Sequence, residues 1–472
     1  MSFGFGFALP AYPLRGGGGN NPFNQLGPTL DLSFAGVVTD LTDPNGYTLN
    51  TDFIIPQYQI AAQYVVWETG VGLVDKTFSQ IITFTRASTA TYFDSAGVLQ
   101  SAAVDAPRLD YNPSTLAAQG LLIEEARTNS LLRSAEFDNA SWIKTRATVT
   151  ANTATAPDGT TSADSIVEDG TAANTHDLRQ GGITNSATTN WTLSFFLKAV
   201  NRTWALIELQ NASATNNRAR AWFNLQTGVV GTGNTVGSGI TYVSHSIQNV
   251  GNGWYRCVVV GTVDVSVTSI QAWVEGTIAD NTTNYDGVNG QTSVYIWGAQ
   301  LEAGAFPTSY IPTTTTALTR AADVASVNTL SPWFNATEGT LFAESSVNYT
   351  VPATFFPLAA SLNDNSSNNR IEVGYLTTVV AGFEVSVGGV SQAGLYPSTA
   401  AQVRRTAGAY AANDFAVSTN SSAPTTDTSG SIPSVTRLAL GTRTSGGTVI
   451  HLRRVTYYPR RLSNAELQAL TV

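Results

Sequence analysis

The chain has 472 residues, of which only 12 % are charged and 42 % hydrophobic, with a formal net charge of -9 and a single cysteine. That length has room for about three domains, and the acidic balance excludes the basic patch that nucleic-acid binding needs. The lone Cys257 excludes an internal disulfide, so folding in a reducing cytoplasm, or indifference to redox, is expected.

Polarity comes from Thr, Ser, Asn and Gly instead of charge. Thr and aromatics suit pleated strands, while Gly and Asn suit turns with positive φ. The composition therefore predicts an all-β fold and disfavours long helices. Residues 1–30 are rich in Gly, Pro and Asn, with Gly16 to Gly19 in a row, which predicts an extended arm. Phe3, Phe5 and Phe7 alternate with glycine or small residues, a pattern suited to strand addition on a partner. The plain alternative is a disordered terminus. This stretch lacks the basic start of a secretory signal. No apolar run reaches the roughly 18 residues of a spanning helix, so no membrane insertion is expected. Strand-like runs at Leu30–Phe34, Phe53–Ile55 and Tyr64–Trp67 add a small β module within residues 1–80.

Residues 81–130 read as a hairpin module. Ile81 to Phe93 is dominated by apolar and Thr residues, Asp94-Ser95-Ala96-Gly97 turns, and Val98-Leu99-Gln100 returns. Thr85-Arg86-Ala87-Ser88 is echoed by Thr319-Arg320-Ala321-Ala322, which suggests two similar openings into β domains. Between 131 and 328, strand-like runs recur at short intervals, among them Trp191–Lys198, Trp204–Leu209, Ala219–Leu225 and Ile270–Val274. They predict a jelly-roll sandwich. Trp254, Cys257 and Trp297 sit in apolar runs and are assigned to its core. Residues 329–472 predict a second sandwich, and the Ser463/Glu466 capping box starts a short final helix. The expected architecture is thus tandem antiparallel β-sandwich (jelly-roll) domains behind an extended N-terminal attachment segment.

The chain offers little for catalysis. His176, His245 and His451 are far apart and none has metal-ligand spacing, so no metal, cofactor or catalytic residue is predicted. There is no nucleophile elbow, P-loop or dinucleotide fingerprint. Glycoside cleavage needs only two carboxylates. Glu124 and Glu125 are adjacent, but successive strand residues face opposite sides. Glu208, Glu275 and Glu302 lie on separate strands that could bring them together, but are read more simply as exposed carboxylates. Asp280, Asp286 and nearby carbonyls leave a loop cation open.

Binding by aromatic platforms has better support. A sugar offers apolar C–H faces rimmed by hydroxyls, so its site wants a flat aromatic beside Asn, Gln, Asp, Glu or Arg. With a period of two, Trp204, Glu208 and Gln210 share one strand face. So do Arg220, Trp222 and Asn224, and likewise Gln271, Trp273 and Glu275. If the three strands are neighbours, they form one mixed aromatic and polar surface, on which Trp204, Glu208, Arg220, Trp222, Asn224, Trp273 and Glu275 are the seven carbohydrate-binding candidates. The alternative is that the tryptophans pack under loops or against a neighbouring subunit.

Two motifs, FTRASTATYF at 84–93 and GLLIEEARTN at 120–129, resemble a module recurrent in tailed-phage fibre, spike and head-decoration proteins. YIWGAQLEAGAFPTSYIPT at 295–313 resembles the end of a carbohydrate-binding-type jelly roll. GTRTSGG and HLRRVTYYPRRLSNAEL near the C-terminus resemble the close of a laminin-G or concanavalin-A-like sandwich. Residues 35–78 depart from the pattern, in which the first strand leads almost directly to the hairpin. The resemblance implies a non-enzymatic virion protein of fibre or spike type, made in the host cytoplasm and carried on the particle surface. Its partners would be host-surface polysaccharide and, through the N-terminal region with Phe3, Phe5 and Phe7, other virion proteins. A homotrimer is expected. The alternatives are a capsid decoration protein without sugar binding and a polysaccharide depolymerase.

Overall fold

A computed structural model describes residues 29–34, 63–69, 71–349, 357–375, 381–397, 403–442 and 449–472. Phe3, Phe5 and Phe7, the proposed attachment residues, and the strand expected at Phe53–Ile55 lie outside the described residues.

Alternation of apolar and polar residues builds the central sandwich. On Trp204–Asn211, Ala205, Ile207 and Leu209 point inward; on Ala214–Asn224, Ala219, Ala221 and Phe223 do the same. Among the described residues this sandwich has two six-stranded antiparallel sheets. One runs in the order Ile143–Thr145, Asp177–Thr184, Ser269–Thr277, Trp204–Asn211, Ala214–Asn224, Val229–Val236. The other runs Ala147–Ala154, Ala163–Glu168, Gln291–Ala303, Thr189–Ala199, Trp254–Val263, Ile240–Asn249. Their inner faces enclose one core that includes Phe195, Ile207, Phe223, Cys257 and Val274. Burial pushes the Cys257 thiol well up, as expected of a structural cysteine. Trp254 and Trp297 are buried as predicted, in a smaller cluster with Phe196 and Tyr310.

The second sandwich corrects the linear division of the chain at 80, 130 and 328. Its ten-stranded sheet, counted among the described residues, joins strands from both ends of the sequence. Leu30–Ser33 pairs with Val449–Tyr458 on one side and with Gln63–Glu68 on the other. Ala118–Glu124 also pairs with Val449–Tyr458. In the opposing sheet Thr83–Thr85 lies beside Val324–Val327. The N-terminal module and much of the hairpin module are therefore parts of the C-terminal sandwich. The physical reason is burial: Leu30, Leu32, Phe34 and Ile82 are apolar side chains that complete its core beside Leu341 and Tyr457. Asp31 adds a forked bond to Arg454, at 2.9 and 2.8 Å. The predicted hairpin is present, with Ala90–Phe93 against Leu99–Ala102. So is the final helix, Asn464–Leu470, with its Ser463/Glu466 capping box.

The central sandwich leaves this frame at residue 129 and returns at 318, where Arg127–Asn129 pairs with Leu318–Arg320. At this neck the arginines of the two echoed motifs, Arg86 and Arg320, come close together. Asp323 bonds Arg86 at 3.0 Å and Arg108 at 2.5 Å. Glu124 bonds Arg108 and Arg320, each at 2.7 Å, and accepts from Ser309 N at 2.8 Å and Oγ at 2.6 Å. All five charged side chains are buried. Burial alone would raise the Glu124 carboxyl, but Arg320, Arg108 and Ser309 outweigh it and hold it at about 2.

A depressed carboxyl contributes stability above its unfolded value, and that stability is lost as pH falls toward the folded value. Glu124 should therefore add stability at neutral pH that disappears between about pH 4.5 and 2. Glu124→Gln leaves two buried guanidinium groups short of charge and should cost about 3–5 kcal/mol at neutral pH, with the gap to the parent closing in acid. Denaturant titrations at several pH values check this; a loss below ~1 kcal/mol at pH 7 would contradict it.

Candidate functional site

The strand Trp204–Asn211 lies between Ser269–Thr277 and Ala214–Asn224, and its register decides what meets on the outward face. Trp204 stands opposite Asn224 and Thr277. Leu206 stands opposite Trp222 and Glu275, and Glu208 opposite Arg220 and Trp273. Gln210 stands opposite Arg218 and Gln271. One strand further out, Asp177 pairs with Glu275 and Arg179 with Trp273. All seven residues predicted as carbohydrate-binding thus lie on one face of one sheet.

That face is not the open platform the sequence suggests, and this is a correction. Trp222 and Glu275 are 0 % exposed, Glu208 2 % and Trp273 5 %. Trp204, Arg220 and Asn224 are half-buried. Residues 278–287 fold over one end of the face, where Trp222 Nε1 donates to Thr282 O at 2.9 Å. Leu206, Trp222 and Trp273 form a small apolar cluster, with Trp204 packed against it. Trp222 follows the alternative of a tryptophan beneath a loop. The cause is area: an indole left in water on a flat sheet gains more by drawing a loop across itself.

Beside the tryptophans runs a polar ladder. Gln271 Nε2 donates to Gln210 Oε1 at 2.5 Å, and Gln210 Nε2 donates to Glu208. Glu208 Oε1 faces Arg218 Nε at 3.3 Å and Arg220 Nη1 at 3.7 Å. Arg220 lies over the Trp222 ring at 4.7 Å and donates to Asn234 at 2.9 Å. Burial raises the Glu208 carboxyl despite both arginines. Gln210 and Gln271 lie on the face that the period of two gave them, though outside the seven nominated site residues; Arg218, two residues before Arg220, was missed.

Under the covering loop the chemistry differs. Glu275 Oε2 accepts from His176 N at 2.9 Å, while Glu275 Oε1 and His176 Nδ1 are buried with no hydrogen-bond partner among the described residues. Burial pushes the Glu275 carboxyl well up, and the charges of Glu208 and Asp177 add to the rise against the His176 N–H. Asp177 is raised by its own burial.

The other candidates have structural roles. Glu302 lies in the opposite sheet, held by Thr308 N at 2.9 Å and Oγ1 at 2.7 Å, and does not converge with Glu208 or Glu275. Glu124 belongs to the neck, and Glu125 pairs with Arg127. His245 bonds Tyr242 and Gly231 O, and His451 bonds Asp110 at 2.7 Å. Asp280 ties down Thr232 and Asp286 ties down Ala173. Among the described residues no group of three or more His, Cys, Asp or Glu is placed to hold a metal ion.

The sequence matches no protein-family model and no curated protein. Among solved structures, the CBM40 module of the Ruminococcus gnavus IT-sialidase bound to α2,3-sialyllactose matches with 16 % identity and a TM-score of 0.25, over 29 % of this chain and 84 % of that one. The Trypanosoma rangeli sialidase matches with 12 % identity and a TM-score of 0.24, over 66 % and 60 %. Mouse laminin α1 domains LG4-5 match with 8 % identity and a TM-score of 0.20, over 62 % and 92 %. At these scores the matches transfer no site residue to this chain.

Two outcomes follow from the burial of this face. Trp222→Ala should cost about 3–5 kcal/mol, as for any buried aromatic truncated to a cavity; chemical denaturation measures it, and an unchanged midpoint would return Trp222 to the surface. Glu275 has a raised carboxyl, so the stability it allows is complete below its unfolded value near 4.5 and is lost as pH rises toward the folded value. Glu275→Gln removes that loss. Its melting temperature should match the parent near pH 4 and exceed it by several degrees at pH 7; a less stable variant at pH 7 would show that the carboxylate has a partner.

Proposed function

We propose that the chain is a non-enzymatic structural protein of a phage-like particle, of fibre or spike type, whose central sandwich binds host-surface carbohydrate. The observation that supports sugar binding is the polar ladder Gln271–Gln210–Glu208–Arg220 beside Trp273, buried except at Arg220, whose half-buried guanidinium brings it to the surface. Amide, carboxylate and guanidinium groups each carry more hydrogen-bonding capacity than one neighbour uses. Set in line beside indole rings, they complement the alternating hydroxyl and C–H surfaces of a glycan.

The particle role rests on the resemblance of the 84–93 and 120–129 motifs. In that reading the N-terminal region docks on other virion proteins, and a homotrimer presents weak sites together so that avidity makes them effective. A depolymerase is disfavoured because Glu275 has no accessible surface beneath its loop and cannot reach a glycosidic oxygen. The burial of Trp222 and Trp273 favours a second reading, a capsid decoration protein in which this face is only structural.

Purified protein should bind host capsule or lipopolysaccharide without releasing reducing ends. Arg220→Ala and Gln271→Ala should each weaken binding about tenfold, a loss of ~1.4 kcal/mol. Unchanged binding in both variants would remove the site from this face. No binding at all, with particles made fragile by loss of the protein, would establish the decoration reading. Reducing ends that vanish in Glu275→Gln would make the protein an enzyme.

A further inference from the structure

A cavity of about 90 Å³ opens where the hairpin module meets both sandwiches. It is several times the roughly 10–15 Å³ that admits one water, enough for a single ring but not for a chain. Two of its carboxylates are already matched by direct partners. Asp110 bonds His451 at 2.7 Å and accepts from Phe93 N at 2.8 Å. Glu124 is occupied by Arg108, Arg320 and Ser309. Arg256 donates to the neutral oxygens Thr308 O, at 2.7 Å, and Ser194 Oγ, and its charge is offset through space by Glu302 and Glu124. A charged ligand would lose its hydration there and find Asp110 and Glu124 already paired and Arg256 already offset by neighbouring carboxylates.

The rest of the lining has two parts. Phe196, Tyr310 and Tyr349 make an aromatic wall, with Tyr349 stacked on Phe306 at 4.0 Å and its hydroxyl donating to Val449 O at 3.0 Å. Gln119, Gln248 and Asn348 bring three amides to the lining, and Gln248 and Asn348 are exposed. Asn348 Nδ2 donates to Gln119 Oε1 at 2.7 Å, which holds two of the three amides in place. Among the described residues no partner takes the second amide hydrogen of Asn348 or the side-chain amide of Gln248, and both stay available to a ligand.

We propose that this junction cavity binds one ring of a neutral sugar, its C–H face on the aromatic wall and its hydroxyls at the amides. The inference does not rest on the sheet-face reading, since the two sites share no residue. Because the lining comes from three parts of the chain, an occupied cavity would also join the two sandwiches.

Saturation-transfer NMR on the full chain with millimolar glucose, galactose and mannose tests it, with N-acetylneuraminic acid as the charged control. One of the neutral sugars should receive transfer. The Gln248→Ala/Asn348→Ala double variant, which changes only exposed side chains, should bind it about tenfold more weakly, a loss of ~1.4 kcal/mol. Arg220→Ala should leave it unchanged. Transfer to none of the neutral sugars means the cavity holds water only and overturns the proposal. Transfer lost in Arg220→Ala but kept in the double variant overturns it too and assigns the sugar to the sheet face. Binding of the charged sugar alone overturns the claim of neutrality.

Discussion

Three arginines and two carboxylates, Arg86, Arg108, Arg320, Glu124 and Asp323, are buried together at the neck between the sandwiches. Stripping five charges of water is costly, and a buried ion pair repays it only when nearly every donor and acceptor finds a partner. Here Asp323 accepts from two guanidinium groups and from the backbone N–H of Glu124, so a single carboxylate fixes three chain segments. Removing one member strands the others, which makes the cluster all-or-none. The path of the chain through the neck, and with it the shape of the junction cavity, depends on that condition.

The sheet face of the central sandwich follows a looser rule. Its inward side is apolar and would pack in almost any sandwich. Its outward side mixes indoles, amides and charges, and the loop at 278–287 covers one end of it. The covered part retains a carboxylate oxygen with no hydrogen-bond partner, a defect that folding alone does not reward. The ladder of Gln271, Gln210 and Glu208 is buried as well, and satisfies its groups through neighbours within the same sheet.

Strand pattern and face were legible in the sequence because alternation is local. Trp204, Arg220, Trp222 and Trp273 could be assigned to one side by counting in twos, and the register then confirmed their adjacency. Burial was not legible, since it depends on a loop that follows Trp273 in sequence but crosses back over Trp222. The membership of the C-terminal sandwich was hidden for a similar reason. Leu30 pairs with Tyr457, and no local pattern encodes a partner more than 400 residues away. The echo of Arg86 in Arg320 was visible as a repeat of letters, but only three dimensions show that both arginines serve the same charge cluster.

The two ends of the central sandwich are themselves hydrogen-bonded neighbours, with Asn129 opposite Leu318 and Arg127 opposite Arg320. A unit whose ends meet can be lengthened, shortened or replaced whole without disturbing the strands of its host. The frame that carries it needs only to keep its five-charge clasp. Inheritance can therefore trade one inserted sandwich for another on a constant frame, and a lineage built this way would vary most between these two short strands.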